Sequence, residues 1–295
     1  MRDVLAEHSY LADDALATSL FLALRMGRPL LLEGEAGAGK TEVANVLARW
    51  SGGELVRLQC YDGIDASQAV YEWDYARQLL HLRAAESAGA PLERPSELEH
   101  SLYSEEYLVR RPLLRAIAGT QGDGPVPVLL IDEIDRADDE FEAYLLEILS
   151  DFTVTIPELG TFRAERAPVV ILTSNRTRDV HDALKRRCLY HWVEHPSFER
   201  EVAIVRLRVP DANEPIVREA AAVVAELRRR GLYKPPGVAE TIDWAQALTV
   251  LGSSHLDERT VERTLGAVIK YHEDAERVRS GGIAELIAGA LGKAP

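Results

Sequence analysis

The chain has 295 residues, 46% hydrophobic and 28% charged, enough to bury a sizeable core as one large domain with a smaller one beside it. Its net charge of -14 weighs against sequence-independent nucleic-acid binding, which needs clustered Lys and Arg to displace phosphate counterions, so the balance favours protein partners. Cys60 and Cys188 carry neither a CxxC nor a metal-ligand spacing, Met1 to Asp14 lacks an apolar h-region, and no segment has the apolar length to cross a bilayer, so a cytoplasmic protein is expected.

In chain order, Leu16, Leu20 and Leu24 share one face of a helix over residues 15–26. The apolar run Pro29-Leu30-Leu31-Leu32 predicts a strand, and Val43, Ala44, Val46 and Leu47 predict a helix after it. Between them lies Gly34-Glu35-Ala36-Gly37-Ala38-Gly39-Lys40-Thr41, which fits GxxxxGK[ST]. Strand, glycine loop and helix in this order predict nucleoside triphosphate binding. The glycines let successive N–H groups face phosphate oxygens, the helix N-terminus adds its dipole, Lys40 brings a mobile charge, and the Thr41 hydroxyl suits magnesium. Lys40 is also the sole lysine before Lys185.

Further apolar runs at Leu55 to Cys60, Val126 to Ile131, Val169 to Thr173 and Leu189 to Val193 complete five short strands separated by helical patterns. That alternation implies α/β architecture with a parallel sheet and crossover helices. Residues 61–108 are too long for a simple connection and read as a helix around Trp73 to Ala88 followed by a Pro- and Glu-rich loop. Residues 138–152 place Phe141, Tyr144, Leu145, Ile148, Leu149 and Phe152 on one helical stripe, and residues 153–162 read as a hairpin turning at Gly160. After Val193, His195-Pro196 breaks the strand pattern, and residues 199–209, 215–231, 238–251 and 257–279 read as helices. The expected division is a nucleotide-binding domain over 1–195 and a smaller all-α lid domain over 196–295. Trp73 and Trp244 are expected in cores, and His191 and His195 read as strand-edge histidines, since no third metal ligand lies nearby.

The strand Val128-Leu129-Leu130-Ile131 ends in Asp132-Glu133. A buried parallel strand delivers its C-terminal residues to the sheet edge that carries a phosphate loop, so Asp132 suits the magnesium shell and Glu133 the attacking water. A third strand ends in Ser174-Asn175, whose amide suits the γ-phosphate and the water. Leu184-Lys185-Arg186-Arg187-Cys188 is a basic cluster, and arginine matches phosphoryl-transfer charge with a planar, permanently ionised fork.

Together these features stand in the order and spacing of the AAA+ ATPases, which the chain resembles over nearly its whole length. Within them it is similar to the MoxR branch, and most to CoxD-type members, through Leu58-Gln59-Cys60-Tyr61-Asp62-Gly63-Ile64-Asp65, Tyr71-Glu72-Trp73-Asp74-Tyr75, Asp132-Glu133-Ile134-Asp135-Arg136-Ala137 and Thr173-Ser174-Asn175-Arg176-Thr177-Arg178. The resemblance implies a P-loop AAA+ domain followed by a helical lid. Gly34 to Thr41 would be the Walker A loop, Asp132 and Glu133 the Walker B pair, Asn175 the first sensor, and Arg186 or Arg187 the finger reaching a neighbouring subunit. Tyr10 and Leu11 resemble positions lining the adenine pocket. ATP and Mg2+ are the implied cofactors. A homo-oligomeric ring, a hexamer, is the implied assembly. Its work would be remodelling a client metalloenzyme, by analogy carbon monoxide dehydrogenase with its copper-sulfur-molybdenum site, with a von Willebrand factor A domain partner. A nucleotide-gated scaffold with little turnover and a nucleic-acid-remodelling ATPase are the alternatives; Glu133 speaks against the first, the acidic charge against the second. The branch usually carries a second-sensor arginine in a Ser-Pro-Arg context at the start of a lid helix. Here the stretch reads Pro235-Pro236-Gly237-Val238, with no arginine; a substitute, Arg259 or Arg263, would have to come from elsewhere in the lid.

Overall fold

The computed structural model describes residues 1–87 and 95–292. The described chain contains strands β1 (Leu30–Gly34), β2 (Leu55–Gln59), β3 (Tyr71–Trp73), β4 (Leu108–Arg110), β5 (Val128–Asp132), β6 (Thr153–Ile156), β7 (Gly160–Arg163), β8 (Val169–Ser174) and β9 (Leu189–Val193). Five of them form one parallel sheet in the order β2-β5-β8-β1-β9. β1 and β5 are buried at every position, as expected of inner strands covered on both faces, whereas β2, at the edge, alternates between buried and exposed residues. Register pairs Gln59 with Asp132, Leu129 with Val170 and Glu33 with Ser174. The carboxyl ends of four strands therefore line up along one sheet edge.

The chain forms two compact units. One comprises Ala15–Glu33 and Ala44–His191 and contains the sheet; the other comprises Met1–Asp14, Gly34–Val43 and the chain from Trp192 onward. In the sheet unit, the predicted amphipathic helix runs over Asp139–Asp151. It starts where the Asp138 carboxylate accepts the Phe141 N–H and stops where Phe152 turns left-handed, at φ 49°. Its buried Phe141, Leu145, Ile148 and Leu149 each stabilise by roughly 1.5–3 kcal/mol. The hairpin follows, with Gly160 opposite Ile156. Trp73 is buried but lies in β3, not in a helix. The aromatic run Tyr71-Glu72-Trp73 pairs antiparallel with β4, and its rings pack edge-on; the helix begins only at Tyr75 and is described to Ser87. Ala88 and the first part of the expected Pro- and Glu-rich loop lie outside the described residues. Of the rest, Pro95–Leu102 is a helix that accommodates Pro95 in its first turn, where a missing N–H costs nothing, and Glu105–Tyr107 is a single 3-10 turn.

In the second unit, Trp244 is fully buried and its indole N–H donates to the Thr264 hydroxyl at 2.8 Å. The helix expected over 257–279 is two helices, Glu258–Val268 and His272–Ser280. Ile269 and Tyr271 between them are extended; Tyr271 packs edge-on against Tyr233, and Asp274 accepts the backbone N–H groups of Tyr233 and Lys234 at 2.7 and 3.0 Å. These tertiary contacts override a continuous helical pattern. A further helix, Ile283–Leu291, was not predicted; Ile283, Leu286 and Ala290 join the core around Trp244. No described helix is long and apolar enough to cross a membrane.

Candidate functional site

The glycine loop leads into the helix Lys40–Ser51. Lys40 is buried, and its ammonium donates to the carbonyls of Gly34 and Glu35, both at 2.8 Å. The loop thus curls around its own lysine. Gly37 has φ 74°, a left-handed conformation that side chains disfavour, and its carbonyl accepts the Val238 N–H at 3.0 Å. A Cβ on Gly37 would stand 2.9 Å from the Gly237 Cα, and one on Gly237 would stand 2.7 Å from the Gly37 Cα. Backbone therefore meets backbone, with no room for a side chain at either position. Thr41 is half-buried in the first helical turn. The Tyr10 ring lies 3.9 Å from a Cβ built on Gly39; burial, then the nearby Asp13, raises its phenol above the ordinary range. Leu11 follows, also half-buried.

The Pro235-Pro236-Gly237 segment that meets the loop is held from behind. Arg228 donates its Nε to the Pro236 carbonyl at 2.7 Å and both terminal nitrogens to the Glu201 carboxylate at 2.6 and 2.8 Å. Glu201 also accepts the Thr241 hydroxyl at 2.6 Å, and Glu240 accepts the Gly237 N–H at 2.9 Å. Arg259 and Arg263 are both exposed, on a helix that buries Val261, Leu265 and Val268 instead. Nearby, burial and then the Arg228 charge lower the His195 pKa below its ordinary value; its Nδ1 is buried with no hydrogen-bond partner among the described residues.

In the sheet unit, Asp132 is buried at the end of β5. Its Oδ1 accepts the Thr173 hydroxyl at 2.5 Å and its Oδ2 accepts the Arg57 guanidinium at 2.5 Å. The Thr173 oxygen also accepts the Glu133 N–H at 2.9 Å. Glu133 is left-handed, at φ 56°, a conformation that costs an ordinary side chain about 1–2 kcal/mol. The kink turns its carboxylate toward the Gln59 and Asn175 amides, which donate at 3.0 and 3.3 Å. Asp135, buried, accepts the N–H groups of Asn175 and Thr177 at 3.2 and 2.8 Å and the Thr177 hydroxyl at 2.7 Å. It sets the loop from which Asn175 reaches Glu133. The structure thus joins the predicted Asp132, Glu133 and Asn175, and adds Arg57, Gln59, Thr173 and Asp135. Of these, Gln59, Thr173 and Asp135 lie in the runs that carry the family resemblance, and Asp135 also has a local sign, since a buried strand followed by Asp-Glu-x-Asp carries one more acid than metal and water need.

Arg186 and Arg187 end the helix Asp182–Arg187, and Arg28 donates to both their carbonyls at 2.9 Å. Both side chains are exposed. Arg187 turns back to donate to the Ser150 hydroxyl, at 3.1 Å from Nε. The Arg186 guanidinium has no partner among the described residues.

The donor types fit Mg-ATP. A glycine loop with a lysine and a helix N-terminus suits anionic phosphate; Thr41 in one unit and Asp132 in the other each carry a hard oxygen of the type magnesium takes.

The model of the AAA domain (dynein-related subfamily) matches residues 29–188. No curated protein matches the sequence. Among solved structures, a provisionally assigned ATPase from Cytophaga hutchinsonii ATCC 33406 is 15% identical with a TM-score of 0.48, the match covering 100% of this chain and 95% of that one. A point mutant of Thermotoga maritima RuvB is 16% identical with a TM-score of 0.48, covering 94% and 80%. The Thermotoga maritima RuvB Holliday junction branch migration motor is 16% identical with a TM-score of 0.46 over the same shares, 94% and 80%.

Proposed function

The chain belongs to the AAA domain family, dynein-related subfamily; it is an AAA+ ATPase, and on that premise we propose that it is a MoxR-type motor that spends ATP hydrolysis on remodelling a client protein. The observation that carries the reading is the Glu133 carboxylate, turned by a left-handed backbone and held by the Asn175 and Gln59 amides. A residue kept in a strained conformation with its carboxylate aimed by two amides suits a group that must orient water.

In this reading Gly34 to Lys40 wrap the triphosphate, and Lys40 exchanges the Gly34 and Glu35 carbonyls for phosphate oxygens. Thr41 and Asp132 supply the oxygens that hold magnesium, which when bound neutralises phosphate charge. Glu133 orients and deprotonates the attacking water, and Asn175 fixes both that carboxylate and the γ-phosphate. Tyr10 and Leu11 flank the adenine. Of the two arginines, Arg186 is the finger for a neighbouring subunit, because Arg187 is engaged with Ser150 within its own chain. A finger in trans requires a ring, and we propose a hexamer. The MoxR resemblance, and the CoxD-like runs within it, support a client metalloenzyme, with carbon monoxide dehydrogenase as the first candidate and a von Willebrand factor A domain protein as partner.

The test is steady-state phosphate release with Mg-ATP against protein concentration, for the wild type, Lys40→Ala, Arg186→Ala and Arg187→Ala. Turnover per subunit should rise with concentration and vanish in Lys40→Ala and Arg186→Ala, while Arg187→Ala keeps at least a third of it. Turnover independent of concentration, or unaffected by Arg186→Ala, would sink the ring motor.

A further inference from the structure

Arg57 and Gln59 stand two residues apart on β2, so both side chains leave the same face of this edge strand. One Arg57 nitrogen donates to Asp132 Oδ2 at 2.5 Å and to Gln59 Oε1 at 2.6 Å. The two partners differ in freedom: the Arg57 side chain is 54% exposed, that of Asp132 only 4%. The carboxylate is fixed, with its other oxygen taken by Thr173. The guanidinium faces water and is free to leave once another cation takes over the charge of the buried carboxylate, which would be costly to leave unpaired.

Asp132 is also the carboxylate assigned above to magnesium. A guanidinium and a divalent cation at one carboxylate oxygen repel each other, so the two compete. We propose that Arg57 is a resident counter-cation for Asp132 that gives way to magnesium, and that it thereby sets the magnesium concentration at which the protein grips nucleotide. The inference rests on the ATPase reading. Without metal, Arg57 shields nucleotide phosphates from the Asp132 charge, so nucleotide is not repelled. With metal, Arg57 moves to solvent, and the gain in nucleotide affinity from magnesium is smaller than an unguarded aspartate would give.

The experiment measures binding of a non-hydrolysable imido analogue of ATP to the full-length protein by calorimetry, first in EDTA and then over a magnesium series. The wild type is compared with Arg57→Gln, which keeps the hydrogen-bonding capacity near Gln59 without charge, and Arg57→Lys, which keeps the charge without the planar fork. In Arg57→Gln the ratio of affinities with and without magnesium should rise at least five-fold and the magnesium midpoint should fall. Arg57→Lys should lie between Arg57→Gln and the wild type. A ratio in Arg57→Gln equal to or below that of the wild type overturns the counter-cation role while leaving the ATPase reading intact. Absence of analogue binding by the wild type overturns the ATPase reading itself, and this inference with it.

Discussion

Replacing Arg228 with Met is the sharpest test of how the segment beside the glycine loop is held. The Glu201 side chain is 1% exposed and that of Arg228 14%, so neither charge is screened by water. Without the guanidinium, the buried Glu201 carboxylate keeps, among the described residues, the Thr241 hydroxyl alone. Breaking a buried pair from one side costs about 3–5 kcal/mol. The Pro236 carbonyl, on a buried residue, loses its donor as well, adding about 1 kcal/mol. The total, about 4–6 kcal/mol, amounts to a drop of well over 10 °C in the melting temperature of a unit of this size. Urea unfolding followed by circular dichroism, with hydrogen exchange read on Val238–Val250 so that the helical unit is resolved from the sheet unit, measures it. The companion is the double variant Arg228→Met with Glu201→Gln, which removes both charges and should recover at least half of the loss. A single-variant cost under about 1 kcal/mol, or a double variant no better than the single, refutes the argument, since each would mean that the Glu201 carboxylate is not dry.

Glu133→Gln should bind ATP as tightly as the wild type while turnover falls by about a hundred-fold or more, the range for losing a general base; single-turnover kinetics beside an equilibrium binding titration reads both. Arg178 pairs with the buried Glu142 and donates to the Ala137 carbonyl, so Arg178→Ala should cost about 3 kcal/mol at neutral pH. Burial already raises the Glu142 pKa above its ordinary 4.5; a raised carboxylate favours the fold most below its unfolded pKa and loses that contribution as pH rises, so the deficit measured by urea unfolding should be larger at pH 8 than at about pH 5. His195 has the opposite sign: its pKa is lowered from 6.5, so its contribution is full above that value and lost as pH falls. Replacing it with Phe should therefore flatten the decline in unfolding free energy between about pH 6.5 and 5, and a slope unchanged by the substitution would remove His195 from the balance.

The sheet was legible because β1, β5 and β8 are short apolar runs that each follow a proline and end in glycine or polar residues, a pattern that burial on both faces imposes. The strand, glycine loop and helix over residues 30–51 were legible because the whole pattern lies in consecutive residues. Asp132, Glu133 and Asn175 were legible through their places at strand ends. What stayed hidden depends on partners distant in sequence. Arg57 reads as one polar position on an edge strand, and nothing local says that it reaches Asp132. Arg228 sits in a run of three arginines, and only tertiary structure picks out the one that turns inward to Glu201. The break at Ile269 to Tyr271 escaped for the same reason, since Tyr233 and Asp274 belong to separate segments. Trp73 was expected in a helix because aromatic residues fit either period over so short a run, and its pairing with Leu108 decides for strand.

The junction of Gly37 with Gly237 has a consequence for how this protein can change. A contact between two side chains can be tuned by degrees, one methylene or one charge at a time. A contact between two backbones offers no such gradation, because any mutation at either glycine introduces a Cβ within 3 Å of the other strand of chain. Variation in the strength of this junction must therefore come from residues that press the segments together, such as Arg228, Glu201 and Glu240, and divergent copies of the protein should differ there before they differ at the glycines.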